Sequence, residues 1–257
     1  MRQIELELAG GGVLTVSLRA SLDAMPAVKE RPLVLVVPGG GYDHVSPREG
    51  DPVALQFAAA GYHTAVLTYS VGEGAQNYQP LRQLNEALAL LRQNAGEWHI
   101  LPDKIAVCGF SAGGHLSGAV LDIPGETAQQ RPNAVILGYP VVTAGEFAHR
   151  GSFVRLAGSE DAAAQQEFTL EDQVNSDTPP VFVWHTMEDK TVPVENTLLL
   201  LAALRRAGVP CEAHLFEKGA HGTSISTAEV DAADPHRAHW VALCLEWLGE
   251  TFGFKLS

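Results

Sequence analysis

The residues Gly109-Phe110-Ser111-Ala112-Gly113 follow a short apolar run, Ile105 to Cys108, and lead into a small-residue helix pattern running on through Ala119, Val120 and Leu121. Their G-x-S-x-G spacing suits a strand that turns sharply into a helix. Glycines on either side let strand and helix approach closely, and the apex residue is held in a strained backbone conformation with its side chain projecting outward. Ser111 occupies that apex. The chemistry such a placement allows is nucleophilic attack by a hydroxyl. The same pentapeptide also occurs in ordinary Gly-rich turns, so the decision falls to the partners Ser111 would need.

A serine hydroxyl is a poor nucleophile at neutral pH. It needs a base to take its proton, an acid to hold that base, and donors for the oxyanion. Among ten histidines, His221 lies in a small-residue loop, Phe216-Glu-Lys-Gly-Ala-His221-Gly222, just after the last expected strand. Its rivals are His115, on the side of the helix that follows Ser111, His149, and His185, which ends a strand beside the acid candidate. That acid is Asp189, in the loop after Val181 to His185, where a carboxylate can accept the second ring N–H of His221 and fix its tautomer. Glu188 is the neighbouring alternative. The oxyanion donors would be backbone N–H groups of Ala112, just after the serine, and of the Gly39-Gly40-Gly41 run after an earlier strand. A Gly-rich loop can also cradle phosphate, but this one lacks the Lys-Ser/Thr of a P-loop.

These loops must be held by alternating strands and helices. Ile4, Leu6 and Leu8 alternate with polar residues, and Val13 to Leu18 reads as the partner strand of an antiparallel hairpin. Apolar runs at Leu33 to Val37, His63 to Leu67, Ile105 to Cys108, Ala134 to Leu137, Val181 to His185 and Cys211 to Phe216 read as strands covered on both faces. Helical patterns fall at Pro52 to Ala60, Leu81 to Asn94, Glu195 to Ala207 and Pro235 to Phe252. The segment from Val141 to Pro180 loses periodicity and reads as an inserted cap of short helices, with Phe147, Phe153 and Phe168 as cap core. The alternation predicts an α/β fold with a mostly parallel sheet, helices on both faces, and a site outside the carboxyl ends of the strands.

The 257 residues, 46% of them hydrophobic, fit a single domain over 1–257. A net charge of −13 argues against nucleic acid and anionic membrane as partners. The N-terminal octapeptide reads as a strand, not a signal peptide, and no apolar run is long enough to span a bilayer. Cys108, Cys211 and Cys244 show no metal spacing and are expected to be reduced and buried, as suits a cytoplasmic protein. No metal or organic cofactor is expected.

Together, Pro38-Gly-Gly-Gly-Tyr42, Gly109-Phe-Ser-Ala-Gly-Gly-His-Leu116, Ser176-Asp-Thr-Pro-Pro-Val181, Glu188-Asp-Lys-Thr-Val-Pro193 and Gly219-Ala-His-Gly222 resemble the α/β-hydrolase superfamily. Within it they are similar to bacterial acetylesterases related to acetyl-xylan esterases and hormone-sensitive-lipase-type esterases. The resemblance implies the α/β-hydrolase fold with an eight-stranded sheet. It makes Ser111 the nucleophile, Asp189 the acid and His221 the base, in the superfamily's nucleophile–acid–base order. It makes Gly40, Gly41 and Ala112 the oxyanion hole. Lipase-type relatives usually have His-Gly-Gly-Gly where Pro38 stands here, which removes a bracing side chain but no oxyanion donor. The implied reaction is hydrolysis of a small-molecule ester, an acetylated sugar or xylo-oligosaccharide, through an acyl-enzyme. An amide-cleaving relative, arylformamidase- or peptidase-like, would share the triad, and a homodimer is left open. Tyr42, Arg48 and Glu49, in the loop after the glycine run, are the expected substrate contacts.

Overall fold

Alternation of apolar and polar residues pairs β1 (Arg2–Glu7) with β2 (Val13–Leu18) as the expected antiparallel hairpin, with Ile4 opposite Val16 and Leu6 opposite Leu14. The computed structural model describes residues 1–20, 27–119 and 130–256. Within them, β3 (Arg31–Val37), β4 (His63–Thr68), β5 (Ile100–Phe110), β6 (Ala134–Gly138), β7 (Val181–Thr186) and β8 (Cys211–Phe216) complete one eight-stranded sheet in the order β1-β2-β4-β3-β5-β6-β7-β8. All pairings from β4 through β8 are parallel, and β2 joins β4 antiparallel.

β3 shows why the central strands are apolar throughout. Successive side chains point to opposite faces. Leu33, Leu35 and Val37 enter one core, where they meet α2 (Gln79–Gln93), α4 (Ala112–Ala119) and α7 (Glu195–Ala207). Val34 and Val36 enter the other, with α1 (Asp51–Ala59) and α8 (Pro235–Phe252). Helix α2 buries Leu81, Leu84, Leu88 and Leu91, the expected stripe. Pro80 in its first turn fixes φ where no intrahelical N–H bond is needed, so the helix begins at Gln79, before the expected Leu81. A four-residue helix, α3 (Ala95–Trp98), leads into β5. β5 itself starts earlier than expected, because Ile100 already pairs with Arg31 across an irregularity in the register. The expected continuation of α4 through Val120 and Leu121 lies outside the described residues.

Between β6 and β7 the chain forms α5 (Arg150–Ala157), α6 (Ala162–Gln166) and a 3-10 turn at Leu170–Asp172. Phe153 and Phe168 are buried here, while Phe147 is only half-buried. Cys108 and Cys244 are buried, but Cys211 is exposed, against expectation: it opens β8, an edge strand whose alternate residues face solvent.

Candidate active site

The parallel register brings strand ends side by side, with Val37 opposite Gly109, Phe110 opposite Gly138 and Thr186 opposite Phe216. The residues just past those ends therefore share one rim of the sheet. Ser111 has φ 52°, left-handed backbone that is unusual for a non-glycine residue, and it is held there by three hydrogen bonds. Its N–H donates to Gly138 O at 3.0 Å, and its carbonyl accepts from His115 N and Val141 N at 3.0 Å each. A Cβ on Gly113 would collide with the carbonyls of Val37 and Pro38, so α4 can approach β3 this closely only with glycine there.

Three loops converge on the serine. The Ser111 hydroxyl donates to His221 Nε2 at 2.8 Å, and His221 Nδ1–H donates to Asp189 Oδ2 at 2.6 Å. The acceptor-only carboxylate puts the proton on Nδ1 and leaves the Nε2 lone pair facing the hydroxyl. Asp189 is buried, which favours its neutral form. Hydrogen bonds from His185 and His221, the His221 charge and the Val192 N–H outweigh that, and its pKa lies below the ordinary carboxylate range. Its Oδ1 accepts from Thr191 N and Val192 N, both at 2.9 Å. Glu188 is exposed and accepts from Gly219 N at 3.2 Å.

The rival histidines have other partners. His185 Nε2–H is shared between Val192 O at 3.0 Å and Asp189 Oδ2 at 3.2 Å, so it supports the same carboxylate oxygen that His221 uses. Its Nδ1 accepts from the Thr197 hydroxyl at 2.8 Å. His115 is buried, and desolvation pushes its pKa down to about 4. It donates from Nε2 to Phe168 O at 2.7 Å and accepts from the Tyr42 hydroxyl at 2.8 Å. His149 does face the serine across a cavity, with Nδ1 bonded to Ser152 Oγ at 2.9 Å, and burial lowers its pKa.

The glycine loop is pinned by its carbonyls. Gly39 O accepts from Ser46 N at 2.9 Å, and Gly40 O accepts from Asp43 N at 3.0 Å and His44 N at 3.2 Å. In a trans peptide the N–H points opposite the C=O, so these bonds turn the Gly40 and Gly41 N–H groups the other way. Gly40 has φ 123°, and a Cβ there would overlap the His44 carbonyl. Gly40, Gly41, Ser111 and His221 all line one cavity of about 440 Å³. Ala112 is the first residue of α4, where N–H groups have no intrahelical acceptor.

Comparison with known proteins agrees with this architecture. Residues 69–254 match the model of the prolyl oligopeptidase family. The chain belongs to that family of α/β hydrolases. A solved structure of an acetyl ester-xyloside bifunctional hydrolase from Caldicellulosiruptor lactoaceticus superposes with a TM-score of 0.84 at 35% identity, covering 95% of this chain and 89% of that one. Among relatives, endo-1,4-beta-xylanase B of Butyrivibrio fibrisolvens is 35% identical over 213 residues, 78% of this chain and 34% of the relative. An acetylxylan esterase of Xylanibacter ruminicola is 30% identical over 201 residues, 76% of this chain and 41% of the relative. The chain thus spans less than half the length of these two curated relatives.

Two expected substrate contacts of this α/β hydrolase are corrected by their burial. Tyr42, at φ 59°, turns into the core beside Tyr69 and His115 instead of toward Ser111. Glu49 is 3% exposed, with both oxygens engaged by protein donors. Arg48 does line the cavity, and so does Glu49, though with no oxygen left unengaged. Asp43 and His44, in the same expected pocket-bordering loop 42–49, also line it, whereas Arg155, which pairs with Asp43 at 2.7 Å, was missed by sequence reasoning. Arg155 comes from α5, and no local signal marks it.

Proposed function

We propose that this α/β hydrolase is a serine esterase that removes small acyl groups, acetyl above all, from the hydroxyls of O-acetylated sugars or xylo-oligosaccharides. Ser111 attacks the ester carbonyl while His221 takes its proton. The N–H groups of Gly40, Gly41 and Ala112 receive the oxyanion. His221 then protonates the departing alcohol, and water, deprotonated by His221, releases the acid from the acyl-enzyme. Asp189 holds the imidazole in the productive tautomer throughout.

One observation carries the substrate class. Among the described residues, the cavity that holds Ser111 has no aliphatic residue and no Phe, Tyr or Trp in its wall. Glycines crowd the serine, and charged or hydrogen-bonding side chains such as Asp43, Arg48 and Arg155 surround the entrance. A long acyl chain would meet no aliphatic or aromatic hydrocarbon side chain there and would forgo much of the roughly 0.8 kcal/mol available for each buried methylene. A polyhydroxylated alcohol would find planar partners. The names of the relatives, acetylxylan esterase and acetyl ester-xyloside hydrolase, point the same way. The cavity offers no feature specific to an amide substrate.

We take 1–257 as one domain with 141–180 as its cap. The free thiols of all three cysteines support a reducing compartment such as the cytoplasm. Among the described residues no helix is long and apolar enough to cross a membrane.

The test is a panel of acetylated xylosides, p-nitrophenyl esters from acetate to octanoate, and aryl formamides. Acetylated sugars and p-nitrophenyl acetate will be turned over, with kcat/KM falling more than about tenfold by octanoate, since the extra methylenes stay wet. Preference for octanoate or for formamides would overturn the assignment.

A further inference from the structure

Glu49 has a place in the site other than touching substrate. Its carboxylate is buried, and its two oxygens bind two different loops. Oε2 accepts from the Gly39 N–H at 2.8 Å, and Oε1 accepts from the Tyr139 hydroxyl at 2.6 Å. The Tyr139 oxygen in turn accepts from the Ser224 N–H at 2.9 Å. Ser224 lies in the loop that carries His221, and it returns to the start of the chain of bonds by donating its hydroxyl to Arg48 O at 2.6 Å. Tyr139, at φ 36° just past β6, also packs its ring edge-on against the His221 imidazole at 4.9 Å. A Cβ placed on Gly39 would lie 2.8 Å from Glu49 Oε2 and 2.9 Å from Ser111 Cβ, so carboxylate, glycine loop and nucleophile are in direct succession.

We propose that Glu49 and Tyr139 are positioning residues that tie the oxyanion loop to the loop of the catalytic base, so that donors and imidazole are set relative to one another. The inference rests on the serine-esterase reading above. A carboxylate suits the place because it has two acceptor oxygens and no donor, and both partners here donate. Burial raises the cost of leaving either donor unpaired. The phenol suits its place because one O–H can donate to Glu49 while its oxygen accepts from Ser224. By taking the Gly39 N–H, Glu49 fixes the Pro38–Gly39 peptide plane, the unit just before the one that carries the Gly40 N–H. By holding Ser224 through Tyr139, it fixes the loop from which His221 projects. Neither residue needs to touch the ester.

The experiment compares wild type with Glu49→Gln, Glu49→Ala and Tyr139→Phe on p-nitrophenyl acetate. It also measures the affinity of each for a small alkyl boronic acid that adds to Ser111 and places an oxygen among the oxyanion donors. Glu49→Ala is expected to lower kcat about a hundredfold and Tyr139→Phe about tenfold, with KM within about twofold, because the loss falls on the transition state. Boronate affinity falls in step with kcat. Glu49→Gln, which keeps one acceptor, retains more activity than Glu49→Ala. Tyr139→Phe keeps the ring and Glu49→Gln the volume, so these two decide the matter if Glu49→Ala does not fold. A rise in KM at unchanged kcat would make Glu49 a substrate contact and overturn the inference. So would unchanged kcat and boronate affinity in folded variants. Failure of the wild type to turn over any ester would instead overturn the esterase reading itself.

Discussion

Burial alone would raise the pKa of Asp189; the donors around it reverse the sign. A carboxyl that holds its proton less tightly in the folded than in the unfolded chain adds stability above the ordinary carboxylate pKa of about 4. That stability is lost as the pH falls toward the lower folded value. Asp189→Asn will therefore flatten the acid side of the stability curve, measured by urea unfolding at a series of pH values below about 5. The same variant offers an amide N–H or carbonyl where His221 needs an anion, and kcat will fall by about 10⁴-fold as the imidazole loses its tautomer. Residues of this kind were legible in the sequence because each stands just after an apolar strand. Glu49 was not. It does follow the glycine run, but its two partners lie at Gly39 and at the distant Tyr139, and only the fold shows that both donate inward. Tyr42 misled for a related reason, since a positive φ after a glycine run sends the side chain into the core instead of the cleft.

At the scale of elements, the strand–turn–helix of β5 and α4 depends on how close α4 comes to β3. Gly113→Ala puts a methyl group against the carbonyls of Val37 and Pro38, which are backbone and cannot swing aside. The variant will lose about 2 kcal/mol or more of stability in denaturant titration, together with esterase activity, because Ser111 moves with the helix. This element was readable because both its strand run and its small residues are local. Register is less local. The early start of β5 at Ile100 depends on a partner elsewhere, Arg31, whereas the start of α2 at Gln79 is local and follows from Pro80. The cap gave no periodicity to read, since α5 and α6 are short and take their order from burial of Phe153 and Phe168.

At the scale of the whole molecule, two apolar cores on opposite faces of one sheet hold its carboxyl-end rim in place. Trp240 of α8 stacks on Trp184 of β7 at 5.1 Å and donates its indole N–H to Ser224 O at 2.9 Å, so the second core reaches the loop of His221 directly. Trp240→Ala will cost about 3–5 kcal/mol, read as a lowered Tm and denaturant midpoint. The alternation of strands and helices made this two-faced plan legible. The composition of the cleft was not, because Asp43 and the pair His149 and Arg155 come from segments far apart in the sequence. The proposed function turns on one event, acyl transfer to Ser111. The direct measurement is peptide-mapped mass spectrometry of protein acid-quenched during turnover of an acetylated xyloside. An acetyl group on Ser111, absent together with turnover in Ser111→Ala, is the predicted result. Undiminished turnover in Ser111→Ala, or acetyl carried on a different residue, would contradict the account.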